Sequence, residues 1–169
     1  MNEKREYVSF QISDQKYALA VSQVERVIHA VAITKTASVS KHIMGILNLG
    51  GRIVPVIDIR KQLELEAKEI ELSDYLIIAN TPNSTIAFFA DQIYGTSRIR
   101  ELLKSSSADG MKVYSDLIDD VVQINHEMVQ ICNLEKILLP HEKAKLDHLI
   151  EKKEIKVEEF VSSPIKNSE

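Results

Sequence analysis

The chain has 169 residues, of which 44% are hydrophobic and 27% charged, and its formal net charge is −4. This is the balance of a soluble globular protein, and an acidic chain argues against nucleic-acid binding, which needs clustered Lys and Arg. The single cysteine, Cys132, excludes an intramolecular disulfide and is predicted to be a small buried residue within an apolar run. Because we find neither a signal-peptide pattern nor an apolar run long enough for a membrane span, a cytoplasmic location is expected.

The most informative feature of the sequence is an internal repeat, which begins with a hairpin in each half. Short β-rich runs joined by turn residues predict one hairpin over residues 7–21 and another over residues 75–90. Ser22 follows the first hairpin and precedes Glu25 by three residues, which is the spacing of a helix capping box. Asp91 occupies the corresponding place after the second hairpin.

The residues after each capping signal predict helical structure. Val24 and Val27 recur at helical spacing with other apolar residues, so a helix is expected over residues 22–30. In the second half Ile93 takes the place of Val24. Gly95 and the threonine after it weaken the pattern there, so only a turn or two of helix is expected.

Each half continues with a second hairpin. The pair Gly50-Gly51 can supply the positive φ that a two-residue turn requires, which predicts a hairpin over residues 46–57. Residues 121–132 have the same layout. Pro55 cannot donate a ladder hydrogen bond, so its strand is predicted to lie at an edge or to carry a bulge at that point.

A polar capping residue follows each of these second hairpins. Asp58 and Asn133 occupy equivalent places, and each is a good helix N-cap. We therefore predict short helices over residues 59–65 and 134–139.

The same order of elements occurring twice indicates a duplication. Several short strands with few helices predict an all-β fold with a few short helices, arranged as two similar barrels packed side by side. We expect one domain over residues 1–139, made of subdomains at approximately 6–70 and 71–139 that can exchange terminal strands. A C-terminal helix over residues 140–153 and a disordered tail over residues 154–169 are expected to follow.

The sequence shows no arrangement typical of catalysis or metal binding. Gly50-Gly51 lacks the spacing of a phosphate-binding loop, and no His or Cys pair stands at metal-ligand spacing with a third ligand in view. Asp119 and Asp120 would point to opposite faces of a strand, so a turn is the simpler interpretation. We expect no enzymatic activity, no metal and no cofactor.

A small double barrel with a cleft between its halves is suited to binding other proteins in surface grooves. An oligonucleotide-binding barrel is a remote alternative, because that function needs a basic groove with stacking aromatic residues. Aromatic residues make up only 5% of the chain, and tryptophan is absent. An enzyme is an equally remote alternative, since no residue indicates a reaction.

The segment over residues 45–60, which reads GILNLGGRIVPVIDIR, resembles the signature of CheW-like domains. The opening strands and the segment that begins at Asn133 match as well, so the resemblance covers roughly residues 6–139. The structural residues implied by this motif are Gly45, Pro55, Asp58, Arg60 and Asn133.

The resemblance implies a non-catalytic adaptor that couples chemoreceptors to the histidine kinase CheA in signalling arrays at the inner face of the membrane. It implies two five-stranded β-barrels around a shared core, with the receptor's hairpin tip near the groove between barrels and the regulatory domain of CheA docked barrel end to barrel end. Neither nucleic acid nor membrane insertion is expected. An adaptor of a chemosensory-like pathway that controls other motility, or one with a divergent set of partners, is the alternative. The predicted protein-binding residues are Val24, Arg26, Val27, Asn48, Gly50, Gly51, Arg52, Ile93 and Thr96.

Two of these residues depart from the family pattern. CheW-like domains commonly have Arg at the place of Gly50 and often Glu at the place of Arg26, and these two can form a salt bridge beside the receptor surface. Since both are changed here, that pair is expected to be absent. Arg52 is expected to replace part of the lost positive charge.

Overall fold

The computed structural model describes residues 5–35, 40–99, 116–138 and 140–151. Within these ranges the fold is mostly β with few helices, as predicted from the sequence. The strands are β1 (Arg5–Ile12), β2 (Gln15–Ala20), β3 (Val24–His29), β4 (Ile43–Leu49), β5 (Arg52–Ile57), β6 (Tyr75–Asn80), β7 (Thr85–Ala90), β8 (Gln92–Ile99), β9 (Ile118–Ile124) and β10 (Glu127–Cys132). The α-helices are α1 (Ile59–Gln62) and α2 (Pro140–Glu151), and 3-10 turns span Val21–Gln23 and Leu134–Lys136.

The strands form two five-stranded sheets with the same internal order. Sheet 1 has the order β8-β1-β2-β10-β9, and sheet 2 has the order β3-β6-β7-β5-β4. Strands at the same place in the two orders are five apart in the chain: β8 corresponds to β3, and β1 corresponds to β6. The parallel pairs β2–β10 and β5–β7 correspond as well. The predicted duplication, with five strands in the same sequence in each half, is therefore confirmed.

Each sheet combines strands from both halves of the chain. The first hairpin of one half, β1–β2, lies beside β8, β9 and β10, and the hairpin β6–β7 lies beside β3, β4 and β5. The sheets therefore do not coincide with the contiguous segments 6–70 and 71–139. Whether those segments behave as subdomains stays a prediction.

The prediction of two barrels is wrong in one respect, because neither sheet closes within the described residues. Strands β3 and β4 form opposite edges of sheet 2, and the segment after β3 meets β4 through an isolated bridge between Thr34 and Ile46. Gly45 makes this approach possible, since a Cβ at that position would lie 2.4 Å from the carbonyl oxygen of Thr34. A loop segment thus occupies the edge of β4 that a barrel would pair with β3.

The predicted helix over residues 22–30 is wrong: Ser22 lies inside a 3-10 turn, whose N-cap is Ala20, and this turn leads into β3. A β-bulge between Val24 and Arg26 explains the misleading pattern. The extra residue places Val24 and Val27 on the same face of the strand, although residues three apart in a regular strand face opposite ways. The valine spacing therefore imitates a helix.

Two further sequence predictions fail for related reasons. The residues after Asp91 form strand β8 and no helical turn, and the positive φ of Gly95 lies beside a register shift between β1 and β8. Asp119 and Asp120 do not mark a turn, because both lie within β9.

The turn of the β4–β5 hairpin agrees with its prediction. Gly50 and Gly51 have φ values of 59° and 91°, and the backbone N–H of Gly51 donates to Oδ1 of Asn48 over 2.7 Å. In the corresponding turn of the second half, Asn125 and His126 also have positive φ, at 50° and 67°. Both turns therefore have the left-handed residues of a type I′ hairpin.

The helices are shorter than predicted, but their caps are as expected. Asp58 accepts a hydrogen bond from the backbone N–H of Lys61, and Asn133 accepts one from that of Glu135. Helix α1 ends at Gln62, and its counterpart after Asn133 is a single 3-10 turn.

Pro55 lies in an interior strand, not at an edge, because β5 has β4 on one side and β7 on the other. The irregular register in β4 is between Ile43 and Gly45, whereas Pro55 faces Ile46. The parallel contact of β5 with β7 has one registered pair, Val56 with Ala87. The missing N–H is tolerated because β5 uses so little of its second edge.

A central apolar cluster joins the two sheets. Its largest fully buried members include Phe10 and Tyr17 from sheet 1 and Ile77 and Phe88 from sheet 2. Each such side chain contributes roughly 1.5–3 kcal/mol by leaving water. Cys132 lies in the same cluster, which confirms its predicted burial.

Helix α2 packs against this central cluster through Leu146, whose exposed fraction is 3%. It begins at Pro140, as predicted, and is described as far as Glu151. The rest of the predicted helix and the predicted disordered tail, residues 154–169, lie outside the described residues.

Candidate partner-binding surface

The two valines of β3 lie at the margin of the central cluster. Val24 and Val27 are half-buried and pack against it, and Ile93 of β8 does the same from sheet 1. Arg26 lies between the valines in sequence, is exposed, and pairs in register with Ile78, whose side chain belongs to the opposite face. The structure therefore gives β3 one face that borders the core and a cation on its other side.

An ion pair connects β3 with the β4–β5 hairpin. Nη2 of Arg52 lies 2.5 Å from Oε1 of Glu25, and the exposed fractions of the two side chains are 48% and 22%. The hydrogen bond from Arg52 lowers the pKa of Glu25, with smaller contributions in the same direction from Asn80 and from the charge of Arg26. This contact brings the segment of Val24–Val27 and the segment of Asn48–Arg52 into one surface.

The sequence reasoning missed Glu25 as a member of this surface. The prediction concerned Arg26 and Gly50, the two departures from the family pattern, and stated that no salt bridge joins these two positions. The structure instead pairs Glu25, one residue before Arg26, with Arg52, two residues after Gly50. The sequence did contain a signal for this pair, namely a glutamate directly before Arg26 and an arginine two residues after Gly50.

The turn of the β4–β5 hairpin presents bare backbone to solvent. Gly50 and Gly51 are exposed, and a Cβ built at either position would meet no heavy atom within 4 Å. The side chain of Asn48 is occupied by its hydrogen bond to the turn. The hydrogen bond to Asn48 thus stabilises the turn from its inner side, and the exposed outer side can contact a partner.

Thr96 lies on β8, one of the two edge strands of sheet 1. It is exposed and pairs in register with Val8 of β1. Within the described residues, the second edge of β8 pairs with no other strand, and Ile93 of this strand borders the core.

Arg60, predicted only as a motif residue, forms a partly buried ion-pair network. Its Nη2 lies 2.6 and 2.7 Å from the two carboxylate oxygens of Asp91, and its Nη1 donates to Oγ of Ser13 over 2.6 Å. Lys68 lies 2.7 Å from Asp74 and 3.4 Å from Asp91. Burial acts to raise the pKa of Asp91, but the hydrogen bonds from Arg60 and Ser13 outweigh it and leave that pKa below its ordinary value.

The described residues offer no site for metal chemistry or for a reactive thiol. No group of three or more His, Cys, Asp or Glu side chains within them is placed to hold a metal ion. Burial, with the charge of Asp119, raises the pKa of Cys132 to about 12, so its thiol stays protonated near neutral pH. No helix in the described part of the chain is long and apolar enough to span a membrane.

Comparison with known proteins identifies relatives for most of the chain. Residues 6–140 match the family model of the CheW-like domain. The chain is 33% identical over 96 residues to the chemotaxis protein CheW of Thermotoga maritima, a match that covers 57% of this chain and 63% of that protein. It is 26% identical over 132 residues to the chemotaxis protein CheW of Bacillus subtilis, covering 78% of this chain and 85% of that protein.

A solved structure shows the same fold. The crystal structure of the scaffolding protein TtCheW from Thermoanaerobacter tengcongensis aligns with a TM-score of 0.67 at 22% identity, covering 78% of this chain and 90% of that chain.

Proposed function

Because the chain belongs to the CheW-like domain family, we propose that it is a non-catalytic chemotaxis adaptor that couples chemoreceptors to the histidine kinase CheA. The observation that carries the proposal is the family match over residues 6–140, which includes every residue of the surface described above. On this proposal the protein works in the cytoplasm, at receptor arrays on the inner face of the membrane. Its partners are the hairpin tip of a receptor and the regulatory domain of the kinase.

The composition of the surface supports a protein partner. Half-buried valines beside an exposed turn and a rim of charges are the ingredients of a protein interface, where apolar contacts lie inside a polar rim. Arg52 is held by Glu25, whereas Arg26 forms no ion pair with any residue in the described ranges. Arg26 is therefore the cation best placed to meet a carboxylate of the receptor.

The test is a charge reversal at Arg26. Arg26→Glu should leave the thermal midpoint nearly unchanged, because the side chain is exposed, and should weaken binding to a cognate receptor fragment at low salt. A roughly fivefold loss corresponds to about 1 kcal/mol, the upper end for an exposed ion pair. Stopped-flow association and calorimetry measure the effect, which should appear mainly in the association rate.

Lys145→Glu is the matched control, since it makes the same change at an exposed position of α2. It should bind like the parent chain. Normal low-salt binding by Arg26→Glu would place the receptor contact elsewhere, and its unfolding would show that Arg26 is structural. Failure of the parent chain to bind either a receptor fragment or the kinase regulatory domain would refute the adaptor function itself.

A second variant rebuilds the charge pair common in the family. Gly50→Arg combined with Arg26→Glu adds the arginine at φ 59°, where a side chain meets open space. The double variant should recover binding to receptors that other CheW-like adaptors use, at a backbone cost of about 1 kcal/mol in stability. Recovered binding would show that residues 26 and 50 act together in receptor recognition. Without recovery, the two positions do not act as a pair.

Pull-down from the native organism distinguishes the remaining alternatives. Recovery of a CheA-type kinase with swimming receptors supports the proposal directly. A kinase and receptors of a pathway that controls pili or gliding would assign the adaptor to other motility. Binding to single-stranded DNA at low salt would favour the oligonucleotide-binding alternative.

A further inference from the structure

We propose that Arg60 and Asp91 form a clasp that fixes sheet 1 against sheet 2 and thereby positions the partner-binding segments carried by the two sheets. The inference about partner binding rests on the proposed function, whereas the inference about sheet geometry stands independently. It assigns Arg60 and Asp91 the role of positioning residues, with no direct contact to a partner required.

Asp91 stands where the chain passes between the sheets. Strand β7 of sheet 2 ends at Ala90, and β8 of sheet 1 begins at Gln92, so this passage takes a single residue. The chain also passes between the sheets from β2 to β3, so a rotation of one sheet against the other changes the backbone at one or both of these passages. Holding its carboxylate therefore restrains the direction in which β8 leaves sheet 2.

The carboxylate of Asp91 is held from both sheets. Arg60 reaches it from α1, directly after β5 of sheet 2, over 2.6 and 2.7 Å. The backbone N–H of Ser13, in the β1–β2 turn of sheet 1, donates to Oδ2 over 2.7 Å. Arg60 also donates to the hydroxyl of Ser13, so the three residues form a closed triangle of contacts between the sheets.

The partial burial of the clasp makes it stiffer than an ordinary surface pair. The exposed fractions of the Arg60 and Asp91 side chains are 13% and 22%, compared with 70% and 43% for the pair of Arg98 and Glu6 within sheet 1. Charge-assisted hydrogen bonds in a partly dry site are stronger and less screened by salt than exposed ones. Lys68, also 3.4 Å from Asp91, adds a second cation on the sheet 2 side.

The geometry links the clasp to the candidate surface. Asp91 immediately precedes the segment of β8 that carries Ile93, and Ile93 borders the same central cluster as Val24 and Val27 of sheet 2. A partner that contacts both sheets needs these side chains at a fixed separation. Because the clasp fixes this separation in the free protein, binding does not carry the entropic cost of ordering the two sheets.

The test measures the relative position of the sheets directly. Spin labels on Asn83→Cys, in the exposed β6–β7 turn of sheet 2, and on Gln123→Cys, in β9 of sheet 1, report one distance across the molecule. The native Cys132 is buried and stays unlabelled. Pulsed double-resonance measurements should give a narrow distance distribution in the parent chain and a broader one with Arg60→Gln or Asp91→Asn.

Arg98→Gln is the matched control, because it removes an arginine–carboxylate pair that lies within one sheet. It should leave the distribution narrow. An equally narrow distribution in folded Asp91→Asn would overturn the clasp. Loss of the folded state in Asp91→Asn, monitored by circular dichroism, would also overturn it, since Asp91 would then hold the fold together and not the placement of the sheets.

Binding supplies the second readout. Asp91→Asn should weaken binding to the receptor fragment by about fivefold, the low end of typical coupling between sites, while Arg98→Gln should not. Broadening without any weakening would show that the clasp does not position the surface. If the parent chain binds neither proposed partner, the adaptor function fails, and the distance measurement still decides the clasp.

Discussion

The turn at Gly50-Gly51 allows a backbone effect to be measured free of side-chain clashes. Gly51 has φ 91°, and a Cβ built there meets no heavy atom within 4 Å, so Gly51→Val adds strain without steric contact. An L-residue with positive φ costs about 1–2 kcal/mol, and branching at Cβ places valine at the upper end. For a chain of 169 residues, each kcal/mol lowers the thermal midpoint by about 2–4 °C. We therefore expect a fall of roughly 4–8 °C in Gly51→Val.

Urea unfolding checks this magnitude. The midpoint should fall while the slope of unfolding free energy against urea stays unchanged, because the folded surface is the same. Gly50→Asn is the control, since asparagine tolerates left-handed φ and Asn125 adopts φ 50° in the equivalent turn. A cost in Gly50→Asn equal to that in Gly51→Val would refute the argument from backbone conformation, as would a Gly51→Val variant as stable as the parent chain.

Two further predictions concern ionisation. The pKa of Asp91 is lowered in the folded chain, so its carboxylate stabilises the fold above the unfolded pKa of about 3.9, and this contribution is lost as pH falls through the folded value. The difference in unfolding free energy between the parent chain and Asp91→Asn should therefore be largest near pH 6 and become smaller below about pH 4. A difference that does not change with pH would contradict the ion pair. The thiol of Cys132, with its pKa raised to about 12, should resist a thiol reagent at pH 8 in the folded chain and react once urea unfolds it, whereas rapid reaction without urea would contradict its burial.

The sequence predicted those features of the fold that depend on local chemistry. Gly50-Gly51 indicated its turn because few other residues adopt positive φ without strain, and Asp58 and Asn133 indicated caps because their side chains can accept from nearby backbone N–H groups. The order of the four hairpins followed from repeating these local signals in each half, whereas β3 and β8 did not.

The sequence did not predict features that depend on contacts between distant segments. The bulge beside Arg26 is fixed by the pairing of β3 with β6, and without that pairing Val24 and Val27 have the spacing of a helix. The pair of Glu25 with Arg52 requires the β4–β5 hairpin to lie against β3, which no local pattern encodes. An exchange of terminal strands was expected from the sequence, but which hairpin joins which sheet is set by contacts across the whole chain.

The repeated fold has the Arg60–Asp91 clasp at one crossover between the sheets and no equivalent pair at the other, among the described residues. Since Asp58 and Asn133 are equivalent, the counterpart of Arg60 is Glu135, and the counterpart of Asp91 is Ser22. Glu135 and Ser22 are both exposed and cannot form an ion pair, so the passage from β2 to β3 lacks the arginine–carboxylate clasp of the passage from β7 to β8. An arginine–carboxylate pair thus lies at one of the two crossovers alone among the described residues. If a partner displaces one sheet against the other, the residues around Ser22 should move before those around Asp91, because no such pair restrains them.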